Sequence, residues 1–454
     1  MRREIEAKLD SWLLGSDRKP LVLRGARQVG KTWLVRNLAA RNSRKLIELN
    51  FERDPSAKRY FHSNNPATVI QEISLGLNST IDPASSILFL DEIQAAGDVL
   101  AKLRWFAEEM PHLPVIAAGS LLEFALADHN FSMPVGRIGF LHIEPMGFSE
   151  FLAAHQQDIL LERLSAWRFG EEFSPTVHEE ALKWFHRYAM VGGMPANINC
   201  DVSSADARRC REQQFDLLAT YRADFSKYAK RVETAALDSV LNAVAHSLGR
   251  KFVYARVEES LKQHAAKRAL ELLALARVCH LVHYSAGNGL PLGGETKATF
   301  RKVILNDIGI LHALLRSPVY PAFPRWESFA PQIRGQMAEQ LVGQLLRLRG
   351  PFSGDGPELY YWQREGGRPG EVDYLMQMDS RIVPIELKSG TAGSMKSLHQ
   401  FMFDKKLDFA IRFDQNPPAQ FDVSTKTTQG NPVQYRLCSL PCYYAEMLDS
   451  VLSR

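Results

Sequence analysis

The sequence predicts an α/β fold: a parallel sheet in the amino-terminal part, a largely helical middle, and a second α/β unit at the carboxyl end. Three observations predict it. The apolar run Leu21-Val-Leu enters the glycine-punctuated stretch Gly25-Ala-Arg-Gln-Val-Gly-Lys31-Thr32, and a helical pattern, Trp33-Leu-Val-Arg-Asn-Leu-Ala, follows at once. A second apolar run, Ile87-Leu-Phe-Leu90, ends in Asp91-Glu92. Between and beyond them strand-like and helix-like segments alternate, as in a sheet whose parallel strands are joined by crossover helices.

The first stretch reads as a P-loop. Gly25 and Gly30 allow turn conformations barred to other residues, so that the N–H groups of Ala26, Arg27, Gln28, Val29 and Gly30 can face a polyphosphate. Lys31 is then placed to reach the β and γ phosphates. Thr32 would put its hydroxyl on Mg²⁺, and the first turn of the helix, with Trp33, adds the positive end of its dipole. The nucleotide-binding residues expected are therefore Gly25 to Trp33 without a break.

The second run supplies the acids. Four consecutive apolar residues suit a parallel strand covered on both faces, with Asp91 emerging at its carboxyl end. Asp91 would hold the metal through water, and Glu92 would polarise an attacking water as general base. Farther on, Pro114-Val-Ile-Ala-Ala-Gly-Ser120 reads as another buried strand ending in a polar residue. Ser120 is a candidate γ-phosphate sensor, or equally a helix N-cap ahead of Leu121-Leu-Glu123. Arg137 is a candidate for stabilising phosphoryl charge, in cis or across a subunit boundary, against the alternative of a solvated strand-edge residue.

The chain has 454 residues, enough for two to four domains, and a mildly basic net charge of +4. That balance is compatible with nucleic acid but does not demand it. Five cysteines, an odd number without metal-type spacing, fit a reduced compartment. The amino terminus is charged throughout and repeats apolar residues at Ile5, Leu9, Trp12 and Leu13, a helix face rather than a secretory signal. No apolar run approaches bilayer length, so a cytoplasmic location without membrane contact is expected.

Beyond the first sheet, Glu171 to about Lys230 is helical in pattern, broken at Gly192, Gly193 and Pro195. Asp238 to His246, Tyr254 to Leu261 and Lys267 to Ala276 read as three helices, and Val278-Cys-His-Leu-Val-His-Tyr then alternates into a turn at Ala286-Gly-Asn-Gly. That is the order of a winged helix, in which Arg250, Lys251, Arg256, Lys262, Lys267 and Arg268 are candidate contacts to DNA phosphates. Packing against protein is the alternative. At the carboxyl end Glu339 sits in a helical pattern, Asp373 in a hairpin arm, and Glu386 and Lys388 on one face of a further strand. If Asp373 faces them, the carboxylates can bind a second Mg²⁺ while Lys388 positions water.

Taken together, the P-loop, Asn50-Phe-Glu, Leu90-Asp-Glu-Ile, Ala118-Gly-Ser, Gly136-Arg-Ile with Glu144-Pro-Met-Gly-Phe-Ser-Glu-Phe, and Val191-Gly-Gly-Met-Pro-Ala resemble the prokaryotic ATP-binding proteins of the AAA and STAND type. The resemblance covers nearly the whole length. It implies an AAA-like P-loop ATPase domain over 1–165, a helical lid over 166–235, a winged-helix domain over 236–320, and over 321–454 a domain of unknown function. The last is similar to the restriction-endonuclease-like D…E-x-K core. ATP and Mg²⁺ are the implied cofactors, and a protein partner or self-assembly is implied for the STAND type. Three functions are open: an ATP-driven regulatory switch, an ATP-regulated Mg²⁺-dependent nuclease, and a non-catalytic DNA-binding or protein-interaction module stabilised by nucleotide.

Overall fold

The computed structural model describes residues 1–119, 122, 136–228, 232–319, 322–349, 356–366, 370–388 and 395–452. Helix α1 (Glu6–Leu14) precedes five strands, β1 (Leu21–Arg24), β2 (Lys45–Asn50), β3 (Ser86–Asp91), β4 (Val115–Ala118) and β5 (Gly139–His142). All five run parallel in the order β2-β3-β4-β1-β5. The crossovers are α2 (Lys31–Arg41), α3 (Pro66–Gly76) and α4 (Gly97–Glu109). Alternation along β3 sends Ile87 and Phe89 into one core and Leu88 and Leu90 into another, so both faces of the strand are buried, as its unbroken apolar run requires.

The helical middle comprises α5 (Phe148–Ala154), α6 (Asp158–Ala166), α7 (Pro175–Val191), α8 (Pro195–Ser204) and α9 (Ala207–Asp224). Gly192 and Gly193 make the turn between α7 and α8, where Asp307 accepts from the Gly193 N–H at 2.6 Å and Met146 N–H donates to the Gly193 carbonyl at 2.7 Å. Two further helices, α10 (Thr234–Ser247) and α11 (Gln263–Leu275), lead into β6 (Cys279–Ser285) and β7 (Thr296–Leu305).

Two features expected of a winged helix take another form. The helix expected from Tyr254 is a short 3-10 turn, Tyr254–Arg256. Glu258, just beyond it, accepts from the hydroxyls of Ser239 and Ser260. The hairpin is also not a free wing. While β7 forms one edge of its sheet, β6 pairs in parallel with β8 (Leu359–Gln363), Val282 opposite Leu359.

The hairpin therefore belongs to an eight-stranded mixed sheet of order β12-β13-β11-β10-β9-β8-β6-β7, and the expected division at 320/321 cuts across it. Helix α12 (Ile308–Leu314) and α13 (Pro331–Arg347) precede β8. After it come β9 (Glu371–Met378), β10 (Arg381–Leu387), α14 (Lys396–Lys405), β11 (Phe409–Asp414), β12 (Ala419–Lys426), β13 (Pro432–Pro441) and α15 (Leu448–Leu452). One contiguous core runs from Leu21 and Leu23 of the first sheet through α7 and α13 to Ile385 and Ile411 of the second. Among the described residues no helix is long and apolar enough to cross a membrane.

Candidate nucleotide-binding and active site

The P-loop leaves the carboxyl end of β1, beside β5. At Gly25, with φ +143°, a Cβ would stand 2.3 Å from the Ile143 carbonyl oxygen, so the loop can pass that close to the chain only without a side chain. Gly30, in the left-handed region, caps α2. Lys31 folds back over the loop, its Nζ donating to the carbonyls of Gly25 at 2.9 Å and Ala26 at 2.8 Å. The ammonium is thus already over the cradle where phosphates would lie.

Asp91, at the tip of β3, gathers the neighbouring groups. Its Oδ2 accepts from Asn50 Nδ2 at 3.1 Å and Thr32 Oγ1 at 3.3 Å, and its Oδ1 from the Glu92 N–H at 3.1 Å. Burial, then the adjacent charge of Glu92, push the Asp91 carboxyl above the usual carboxylate range, while those three hydrogen bonds act the other way. A carboxylate and a hydroxyl, both hard oxygen donors, are what Mg²⁺ takes beside a triphosphate. Thr32 and Asp91 are the residues that would hold it, and the ion would neutralise charge developing on the phosphoryl group. Glu92 follows in the left-handed region at φ +50°. Gln94 Nε2 donates to its Oε2 at 2.6 Å.

Two predicted residues stand apart from this group. Ser120 lies outside the described residues. Arg137 precedes the first residue of β5, and Gly139 pairs with Leu21 at the amino end of β1. The P-loop leaves the other end, about 13 Å away along the four residues of the strand at about 3.3 Å each. Arg137 instead pairs with Glu108 at 2.8 Å. Its sequence-predicted role in cis is therefore overturned, because it occupies the wrong edge of the sheet.

Other residues hold the loop that sequence reasoning did not assign. Arg3, buried, donates from Nη1 to the Val29 carbonyl at 3.0 Å, from Nη2 to the Glu144 carbonyl at 2.9 Å and from Nε to Glu150 at 2.9 Å. Arg27 reaches the other way, to Asp224 at the end of α9, with Nη1 2.5 Å from Oδ1. Neither carried a local signal: Arg3 is one of two adjacent arginines ahead of α1, and Asp224 closes a helix rich in charge.

The carboxyl-terminal acids do converge, but around a lysine. Lys302, on β7 and almost fully buried, lies 2.8 Å from Glu339 Oε1 and 3.8 Å from Asp373 Oδ1, and also pairs with Glu371. Asp373 Oδ2 accepts the Leu387 N–H at 2.7 Å, while Lys388 pairs with Glu386 at 2.5 Å. Burial first, then the like charge of Asp373, raises Glu386 to about 8; burial raises Glu339 to about 7 against the pull of Lys302. Among the described residues no group of three or more His, Cys, Asp or Glu is placed to hold a metal. Of the residues expected to form a second metal site, Glu339 and Asp373 thus face the ammonium of Lys302, and Glu386 faces Lys388.

Residues 17–152 match the AAA domain model. The chain carries an AAA domain. Behind this P-loop ATPase domain, residues 182–318 and 334–429 match two domains of unknown function, DUF8612 and DUF4143. No curated protein matches the chain. Among solved structures, the Walker-type ATPase PABY2304 of Pyrococcus abyssi is 16% identical over 69% of this chain and 95% of its own, with a TM-score of 0.43. The Aeropyrum pernix ORC1 protein in complex with DNA is 17% identical over 70% and 94%, with a TM-score of 0.28. The ORC2 protein of the same organism, in ADPNP-ADP complexes, is 14% identical over 61% and 86%, at 0.29. Likenesses at these TM-scores add nothing about how this AAA domain works.

Proposed function

We propose that the AAA domain binds ATP with Mg²⁺ and hydrolyses it slowly, and that the nucleotide state is passed to the rest of the chain as a switch. The observation that carries this reading is the convergence of Lys31, Thr32, Asn50, Asp91 and Glu92 at the carboxyl edge of β1 to β3. Lys31 binds phosphate, Thr32 and Asp91 take the metal, and Glu92 draws a proton from the attacking water. The loop is also tied outward, to α9 through Arg27 and to the segment after β5 through Arg3. A change of charge in the cradle can therefore strain both contacts.

The test is turnover of Mg·ATP with labelled nucleotide. Glu92→Gln should keep binding and lose 10² to 10⁴ in rate, the ordinary share of a general base. Lys31→Ala should lose binding. Wild-type protein that takes up no Mg·ATP, or a Glu92→Gln variant as fast as wild type, would sink the reading.

A second reading gives the switch DNA as its partner. What favours it is a groove of about 450 Å³ beside α10, lined by His246, Arg250, Lys251 and Arg256. Its one acid, Glu258, is engaged by two serine hydroxyls. If DNA lies there, affinity should fall steeply with salt and the slope should shrink on Arg250→Ala. The nuclease alternative finds less support, since Lys302 holds the acids that would bind its metal.

A further inference from the structure

The strand β4 lies between β1 and β3, so its carboxyl tip stands between the P-loop and Asp91-Glu92. At that tip, Gly119 leaves room for a side chain from the 3-10 turn that follows β3: a Cβ on residue 119 would stand 1.9 Å from Gln94 Oε1 and 3.1 Å from Gln94 Cδ. The amide of Gln94 fills this space. One end donates to Glu92 Oε2 at 2.6 Å. The other end, Oε1, is buried and meets no hydrogen-bond donor among the described residues.

A buried amide carbonyl without a donor costs about 1 to 3 kcal/mol, and such a group persists where a ligand satisfies it. A donor would have to reach Oε1 when the site is loaded, between Glu92 and the tip of β4. Water is the smallest donor that fits, and beside the acid that takes its proton it has two protons to give. We propose that Gln94 is a positioning residue for hydrolysis, its N–H fixing the Glu92 carboxylate and its carbonyl receiving the second proton of the attacking water. This rests on the reading of Glu92 as general base.

The step balances. The water oxygen forms a bond to the γ-phosphorus while the bond from phosphorus to the bridging oxygen of ADP breaks. One water proton passes to Glu92, and the other remains on the new phosphate, hydrogen-bonded to Gln94 until release. Two acceptors on one water fix the direction of its lone pair, which Glu92 alone would leave free to rotate. The glycine of Ala118-Gly-Ser gains a reason at the same time, because any larger residue would push the amide out.

The experiment measures Mg·ATP turnover and the Kd of a fluorescent ATP analogue for wild type, Gln94→Leu, Gln94→Asn, Gly119→Ala and Glu92→Gln. Gln94→Leu should lower kcat 10- to 100-fold and leave Kd within twofold, since the side chain is assigned no contact with the nucleotide. Gly119→Ala, which displaces the amide without removing it, should reproduce the split, and Gln94→Asn, too short to span both partners, should not rescue it. A purely structural role would move Kd and the melting temperature together with kcat. If wild type turns over, Glu92→Gln does not, and Gln94→Leu stays within threefold of wild type, the inference is overturned while the reading of Glu92 stands. If wild type shows no turnover at all, or Glu92→Gln matches it, that reading fails first and the inference falls with it.

Discussion

Arg347, at the end of α13, and Glu144, just beyond β5, form a buried ion pair, with Nη2 2.7 Å from Oε1 and both side chains 5% exposed. Burial pushes the Glu144 carboxyl up, yet Arg347, His280 and Arg277 overcome it and hold the group at about 2. The backbone carbonyl of the same Glu144 accepts from Arg3, which also holds the P-loop at Val29. The pair therefore joins the carboxyl-terminal sheet to the edge of the nucleotide site. Removing Arg347 leaves the buried Glu144 carboxylate with Arg277, 3.7 Å away, as its remaining arginine, a loss that approaches about 3 kcal/mol. Arg347→Met should show it as a lowered urea midpoint, and the double variant with Glu144→Gln should recover part of it.

Gly25→Ala tests how tightly the loop is built. The added Cβ would meet the Ile143 carbonyl at 2.3 Å, on a backbone conformation that L-residues avoid. Backbone atoms are on both sides of the clash, so no rotamer relieves it. The loop must move off β5, and its N–H groups then miss the phosphates. ATP affinity measured by fluorescence titration should fall at least tenfold, and a wild-type affinity would show that the loop tolerates the displacement.

How much of this was legible depended on how far apart in sequence the cooperating residues are. The P-loop is contiguous, and Asp91-Glu92 closes an apolar run, so local pattern was enough for both. Arg137 shows what pattern cannot supply: a residue near a strand may stand at either end, and only the pairing of Gly139 with Leu21 shows which. Lys302 sits in the alternating strand Thr296–Leu305 and looks like a solvated strand lysine. It is buried because α13 brings Glu339 over the sheet, a contact across 37 residues. The Tyr254 segment has helical composition, but only Tyr254–Arg256 winds, as a 3-10 turn, and the composition does not mark where it stops.

Lys302→Met should separate an internal ammonium site from a metal site. Without the lysine, Glu339 and Glu371 face each other and Asp373 with no cation, and protonation becomes their way to stay buried. The stability loss should therefore be larger at pH 8.5 than at pH 5.5, reaching about 3 to 5 kcal/mol where the carboxyls must ionise. Chemical denaturation at the two pH values reads this directly. Equal losses at both would mean that the acids are not carried by Lys302.

The pH dependence of the whole chain follows from two opposed sets of buried groups. Burial, reinforced by Arg347 at His280 and by Arg211 at His312, lowers both imidazoles from 6.5 to about 3. Below 6.5 the unfolded chain takes up protons that the folded one refuses, so stability falls as pH drops through that window. Burial raises Glu386 and Glu446 from 4.5 to about 8, with Asp373 and Glu4 adding like charge respectively. These carboxyls keep their protons in the folded state after the unfolded chain has released them, so stability falls as pH rises from 4.5 towards 8. Between about 4.5 and 6.5 the two sets oppose each other; above it the raised carboxyls pull stability down, and below it the histidines do so together with Glu144, held at about 2, so the unfolding free energy must decline on either side. Urea titrations at pH 4, 5.5 and 8.5 should place the maximum at the middle value. His312→Gln should flatten the acid side, because it removes one group that must charge, and should leave the alkaline side as it was.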